Sequence, residues 1–248
     1  MADYTQEVYL PSHKANVYPN NPEYAGPITL RMMTVADEKK VFSSTSDNAL
    51  NNLIKSCVVS PEGFNPADLL PNDRHFLLVK LRILSYGDSY HSVLVCPECG
   101  HIDKDFKFSL DDVEVNELDE DFQEPFYVDL PVCGKKVGLR ALRTRELTQI
   151  TSKAKKLAKD TNANTKEVEF VQRLVKKIVS IDGEKVSTPE AEKFVASMMA
   201  LDRAKIDDVF EHQKLGYEGF VVAECPKCGE TVEVPFRLHR EFLHPRFD

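Results

Sequence analysis

Two short stretches hold the residues best suited to chemistry. Cys96-Pro97-Glu98-Cys99-Gly100 and Cys225-Pro226-Lys227-Cys228-Gly229 each place two thiols with two residues between them, followed by glycine. At that spacing both sulfurs of a pair reach one ion, and glycine tolerates the positive φ of the tight turn. Strand-like sequence flanks both pairs, in "SVLVCPECGHIDKDFKF" (92–108) and "FVVAECPKCGETVEVPF" (220–236). Two cysteines cannot complete a tetrahedral site. Four thiolates form a closed one, with no position left for water or substrate. The set Cys96, Cys99, Cys225 and Cys228 is therefore expected to hold one structural Zn2+ per chain. A thioredoxin-like dithiol would open a helix, whereas β-like sequence follows both pairs here. An iron–sulfur cluster also uses four cysteines, and bare thiols are the remaining alternative. A local zinc ribbon has about 15–20 residues between its pairs. Here the whole stretch 100–224 intervenes, so the ion must tie the middle of the chain to its C-terminal part.

The other candidates are weaker. Cys57 and Cys133 lack a CxxC partner and read as buried or semi-buried thiols. His91, His101, His239 and His244 lie near the knuckles or the C-terminus, where one could replace a thiolate. Asp73-Arg74 and Asp202-Arg203 could suggest a catalytic acid pair, but the expected reading is an N-cap Asp beside an Arg in an intramolecular ion pair, which also explains why the dipeptide occurs twice. No nucleophile elbow, phosphate loop or HExxH is present, so no active site is expected.

The elements that position the cysteines form two unequal copies of one plan. Val8-Tyr9-Leu10-Pro11 leads through a Pro/Asn-rich loop to a strand at 28–32, then to a helix capped by Thr34 with Asp37-Glu38 in its first turn. Val128-Asp129-Leu130-Pro131 leads through a short turn with Gly134 to a strand at 137–141, with Glu146 near the next helix start. At a constant offset, residues 73–108 and 202–237 agree at Asp, Arg, Gly, Val, Cys, Pro, Cys and Gly. That concentration on turn and ligand positions indicates an internal duplication. The expected fold is α+β: two β-hairpin knuckles sharing one four-cysteine site, with helices around them and a pseudo-two-fold axis through the metal. The expected units are 1–110 with knuckle 96–100, an acidic linker 111–125, and 126–248 with knuckle 225–229 and a C-terminal tail.

Stretch 111–124, "DDVEVNELDEDFQE", has eight acids and no base, and reads as a solvated linker or exposed strand edge, with an acidic docking strip as the alternative. Val168, Val171, Leu174, Val175 and Ile178 form a helical apolar stripe, Asp182-Gly183 a hairpin turn, and Ser187-Thr188-Pro189-Glu190 a helix start. Phe194, Val195, Met198 and Met199 continue a buried face, as do Ile206, Val209 and Phe210 on a helix after Asp202. In the tail, Phe236, Leu238, Phe242, Leu243 and Phe247 interleave with Arg237, Arg240 and Arg246, suited either to finishing the core or to docking on a neighbour.

Composition narrows the function. The 248 residues carry a formal charge of −8 and a mean hydropathy of −0.35. No apolar run reaches the roughly 18 residues of a membrane span, and the first residues lack the pattern of a secretory signal. The acidic balance argues against a nucleic-acid partner, and paired CxxC motifs suit a reducing compartment and metal ligation better than disulfides.

The stretches "YLPS", "ITLRMMTVADEKK", "LLPNDRHFLLVKLRILSYGDSY" with "CPECG", and "VDLPVCGKKVGLRAL" resemble the baseplate proteins of T-even-type contractile-tailed bacteriophages, hub-associated and hub-assembly members included. The resemblance covers residues 8–145 well and the remainder loosely. "VSIDGEKVSTPEAEKFVASMMALDRAKIDDVF" also looks like phage tail assembly chaperones. Where family members often have Gly after "LPS", this chain has His13-Lys14, so the resemblance does not fix the first loop's conformation. The resemblance implies a non-enzymatic structural component of the virion's tail baseplate. It would bind other baseplate or tail proteins, with no nucleic acid, membrane or small-molecule substrate, and would pass through the host cytoplasm during assembly. An assembly chaperone absent from the mature virion is the alternative within that role. A zinc-ribbon nucleic-acid-binding regulator is the alternative of another class, and an oxidoreductase using the CxxC pairs a further one.

Overall fold

The structure is a computed structural model that describes residues 4–42, 46–161, 164–212, 216–217, 220–235 and 240–243. It is mixed α+β, with seven helices and several small antiparallel sheets among the described residues. In the first half, strands β1 (Thr5–Val8), β2 (Ile28–Arg31) and β3 (Val58–Ser60) pair in that order, with helices α1 (Val35–Phe42), α2 (Asp47–Cys57) and α3 (Pro71–Tyr86) between and after them. Hairpin β4 (Ser89–Val95) and β5 (Ile102–Ser109) carries the first cysteine pair in its turn.

Chain segment β6 (Val115–Asn116) leads to the second half. There β7 (Phe126–Asp129) and β8 (Lys136–Leu139) join β9 (Ile178–Ile181) and β10 (Glu184–Lys185) in the order β10-β9-β8-β7. The helices of this half are α4 (Thr144–Thr161), α5 (Thr165–Lys177), α6 (Thr188–Ala196) and α7 (Ala200–His212). Strand β11 (Gly216–Tyr217) pairs back with β6, and hairpin β12 (Phe220–Glu224) and β13 (Thr231–Pro235) carries the second cysteine pair.

Local signals account for many of these boundaries. Thr34 N–H and Oγ1 donate to Asp37 Oδ2 at 3.0 and 2.7 Å, and Asp37 N–H returns a bond to Thr34 Oγ1. Arg31 Nη1 closes on the same carboxylate at 2.8 Å. At α6, Ser187 and Glu190 form a capping box with Pro189 in the first turn. Asp182 and Gly183 take φ of 52° and 86°, the left-handed pair that a two-residue hairpin needs. Gly87 ends α3 at φ 83°.

Two apolar cores result. The larger packs Leu10, Ile28 and Leu30 with Leu53, Leu77 and Leu81, and it also takes Val221, Val232 and Val234 from the second cysteine hairpin. The smaller joins Val128, Leu130, Val137 and Leu139 to Leu174, Ile178 and Ile206. The second knuckle is thus seated in the core of the first half. Residues 143–144 stitch the halves elsewhere: Thr144 N–H and Oγ1 both donate to Leu69 O, and Arg143 Nη2 reaches Val17 O at 2.6 Å.

Several expectations need correction. Ile178 begins β9 rather than extending the α5 stripe, and Val171 and Met199 are exposed rather than buried. Cys57 is buried, but Cys133 is exposed on the short turn that leads into β8. Stretch 111–124 is more than a solvated linker. Val113 and Leu118 are buried, Leu118 N–H donates to Pro11 O at 3.0 Å, and Lys80, Lys14 and Arg143 pair with Asp111, Glu117 and Glu124.

Within the tail, Phe242 and Leu243 fold into the chain's own core. Phe242 is fully buried against Tyr90, with ring centroids 5.5 Å apart, and its carbonyl accepts from Arg82 Nε at 3.1 Å. Burying each such side chain is worth about 1.5–3 kcal/mol. The other residues named for docking, Phe236, Arg237, Leu238 and those from 244 onward, lie outside the described residues.

Candidate metal centre

The two knuckle turns repeat each other bond for bond. In the first, Cys96 N–H donates to His101 O at 2.9 Å and Gly100 N–H to Cys96 O at 3.1 Å. In the second, Cys225 N–H donates to Glu230 O at 2.8 Å and Gly229 N–H to Cys225 O at 2.9 Å. Gly100 and Gly229 have φ of 68° and 76°, so the glycine after the second cysteine is required by the turn. Each hairpin therefore offers its two sulfurs on the same side of a rigid turn.

Packing β4 against β13 brings the turns together, with Ser92 Oγ donating to Pro235 O at 2.8 Å across the joint. Cys96 Sγ then lies 3.6 Å from Cys228 Sγ, and Cys99 Sγ 3.7 Å from Cys225 Sγ. All four sulfurs lie within 4.8 Å of one another. Tetrahedral bonds of about 2.3 Å to zinc put sulfurs about 3.8 Å apart, so the observed crossing pairs have the separation that a single ion would impose. Cys96 and Cys225 are buried while Cys228 is exposed, which leaves a route for the ion from solvent.

Electrostatics favours a cation here. Desolvation resists ionisation of Cys225, but hydrogen bonds from the Lys227 and Cys228 backbone bring its thiol down to about 6. Cys228 is favoured as thiolate by the Glu230 backbone, yet the Cys99, Cys96 and Cys225 sulfurs push it up to about 12. One thiolate forms readily and the crowd of sulfurs opposes the next. A dication between them would remove that opposition and release the protons.

None of the histidines joins this set among the described residues. His91 Nδ1 faces Asp105 Oδ1 at 2.6 Å, and the ring of His101 does not enter the cluster; His239 and His244 lie outside the described residues. Asp73 and Asp202 are both fully buried, far apart in role from a catalytic pair. They lie inside the first turns of α3 and α7 rather than at N-caps, and each holds a Leu-Pro loop from its own half. Asp73 accepts from Ser12 N–H at 3.2 Å and from the hydroxyls of Ser12 and Tyr18. Asp202 accepts from Val132 N–H at 2.7 Å and Cys133 N–H at 3.1 Å. Ser12 and Tyr18 carry no signal in the sequence, because the repeated Asp-Arg marks the acids but says nothing about partners some 60 positions away.

Arg82 was also missed. Buried in α3, it holds the entrance of the first hairpin through Gly87 O and Ser89 O as well as Phe242 O. Its only trace in the sequence is a lone Arg in the apolar run "LLVKLRIL".

No helix among the described residues is long and apolar enough to cross a membrane. No match was found among curated proteins or among solved structures. The family model described as T4 bacteriophage base plate protein matches residues 1–244, well beyond the 8–145 that the motifs covered, and the chain belongs to that family.

Proposed function

We propose that this chain is a non-enzymatic, hub-associated structural component of the contractile tail baseplate, built from two copies of one plan clasped by a single zinc. The observation that carries the reading is the convergence of Cys96, Cys99, Cys225 and Cys228, from hairpins on opposite sides of a long intervening stretch, at tetrahedral spacing. Four thiolates would saturate the ion, so its role is to fix the hairpins, and it offers no site to a substrate. The crossing of the pairs, 96 with 228 and 99 with 225, is the pattern that a two-fold exchange of the knuckles produces. Residues 1–110 and 126–248 form the two copies, with 111–125 between them, and the second copy gives its knuckle to the first copy's core.

The surroundings of the site support protein partners over nucleic acid. Glu98, Asp105, Glu224, Glu230 and Glu233 are exposed around the knuckles, where a phosphate backbone would be repelled. The assembly-chaperone reading rests on a separate feature, the Asp182-Gly183 turn followed directly by α6 and α7.

Pull-down of the tagged chain from infected cells, with and without chelator, tests the main proposal. Recovery of other baseplate proteins that is lost on chelation is the expected result; recovery unaffected by chelation refutes the zinc part. Mass spectrometry of purified virions separates the two roles: a resident component is present and a departing chaperone is not.

A further inference from the structure

The two cysteine hairpins leave a gap between their outer strands. Strand β4 packs against β13, whereas β5 and β12 do not pair with each other. Among the described residues β5 pairs with β4 alone and β12 with β13 alone, so each presents one edge of backbone N–H and C=O groups without a strand partner. A cavity of about 490 Å³ lies between them, walled by residues 106–108 of β5 and 220–223 of β12. Successive side chains of a strand point to opposite faces. A cavity touched by consecutive residues of both strands therefore runs along their edges rather than over one face. Phe106 and Phe108 pack against the core of the first half, with ring centroids 6.4 Å apart, and Val222 is exposed on the other wall. Asp112 and Glu114, in the segment after β5, also line the cavity, and both are exposed. Lys107 is the only cation among the described lining residues, so the two carboxylates leave the lining net negative.

We propose that this gap accepts an extended segment of a neighbouring protein as an added strand between β5 and β12, with apolar side chains on its inner face and a Lys or Arg beside Asp112 and Glu114. A single strand there would give a partner to both unpaired edges. Main-chain pairing of this kind supplies affinity, and alternate side chains supply specificity. The stretch 220–223 is about 10 Å of strand at about 3.3 Å per residue, room for three or four residues of the added segment. Strand β5 runs away from the cysteine turns and β12 toward them, so the segment lies antiparallel to one and parallel to the other. Aromatic walls call for apolar side chains, and the net negative lining calls for a cation. Only the source of the segment, a neighbouring tail protein, rests on the function proposed above; the gap stands on the two hairpins alone.

The probe is the capped peptide Thr-Val-Lys-Val-Thr, added to the full chain while amide exchange is followed by NMR. Saturable binding is expected, with new protection of edge amides within 106–108 and within 220–223 together. N-methylation of either alternate set of the peptide's amides should weaken binding about tenfold or more, because each set pairs with one of the two strands. Asp112→Asn combined with Glu114→Gln should weaken the Lys peptide about two- to fivefold at low salt and leave a peptide with Gln in place of Lys unaffected. Both substitutions keep side-chain size at exposed positions, so the fold is retained. Absence of saturable binding, protection of one strand only, or tolerance of N-methylation in either set overturns the proposal. Equal binding of the Lys and Gln peptides overturns it too, as does protection of both edges in the free chain, where the gap would be filled from within. Binding by a chain that never co-purifies with tails would keep the added strand and refute the tail protein as its source.

Discussion

Asp73 and Asp202 occupy the same place in the two halves, each fully buried in the first turn of a helix and each gripping the loop after a Leu-Pro pair. Asp73 is served by one backbone N–H and two hydroxyls, Asp202 by two backbone N–H groups. The neighbouring ion pairs show the same kinship with different residues: Arg31 with Asp37 in the first half, Arg140 with Glu146 in the second. Both halves have the same joint, a buried carboxylate fastening a loop to a helix start. The loops differ: residues 12–27 follow the Leu-Pro pair in the first half, and only residues 132–135 in the second.

The sharpest way to break the comparison is at the shared cysteines. If the two knuckles contribute equally to one ion, Cys96→Ser and Cys225→Ser should lower the melting temperature alike, by on the order of 10 °C or more, and chelation should mimic both. Thermal melts of the two variants side by side would show it; a large loss in only one breaks the symmetry.

A smaller but more telling contrast lies at the aspartates. Asp73→Ala leaves three buried donors around Ser12 and Tyr18 without an acceptor, and should cost about 2–4 kcal/mol. Asp202→Ala strands two backbone N–H groups, those of Val132 and Cys133, rather than three donors, and should cost about 1–2 kcal/mol. Urea unfolding of both variants measures the difference, and equal costs would mean that the first loop is no better anchored than the second.

The pH dependence sharpens the same point. Burial pushes Asp73 up to about 6, partly offset by the bonds from Ser12 and Tyr18. An unfolded carboxylate titrates near about 3.9, so between about pH 4 and 6 the native state binds the extra proton. This group's contribution to stability therefore rises as pH falls through that window. Asp37 runs the other way: although burial opposes ionisation, Arg31 and Lys40 hold it well below the usual range, so its contribution is present above about pH 4 and lost as pH falls further. Melting curves between pH 4 and 7 for the natural chain and for Asp73→Asn should differ in slope, with the natural chain gaining more on acidification.

The smallest effect is expected at Cys133. It is exposed and away from the cluster, so Cys133→Ser should change stability by less than about 0.5 kcal/mol and leave metal content untouched, measured in the same melts.

Much of the site was legible because its parts are local. A CxxCG turn between two strands defines its own geometry, and the repeat pointed to the partner pair; spacing alone then required the long closure that brings Cys99 to Cys225. Thr34, Ser187 and Asp182-Gly183 were legible for the same reason, since each acts on neighbours within a few residues. Features set by distant packing were not. Nothing near Val113 or Leu118 shows that an acidic stretch will be pinned against Pro11 and Val17's loop. Nothing near Val221 shows that the second hairpin completes the first half's core. Met199 and Val171 have the helical apolar spacing of buried residues, yet both are exposed. Periodicity tells which face is apolar, not whether the fold supplies something to lie on it.

The central claim is that one zinc, held by four sulfurs from both halves, clasps the chain. X-ray absorption at the zinc edge on the purified full-length protein, with metal content measured on the same sample, tests it most directly. The account predicts one zinc per chain with four sulfur neighbours at about 2.3 Å and no nitrogen or oxygen in the first sphere. Two zinc ions per chain, none, or a sphere with fewer than four sulfurs would contradict it.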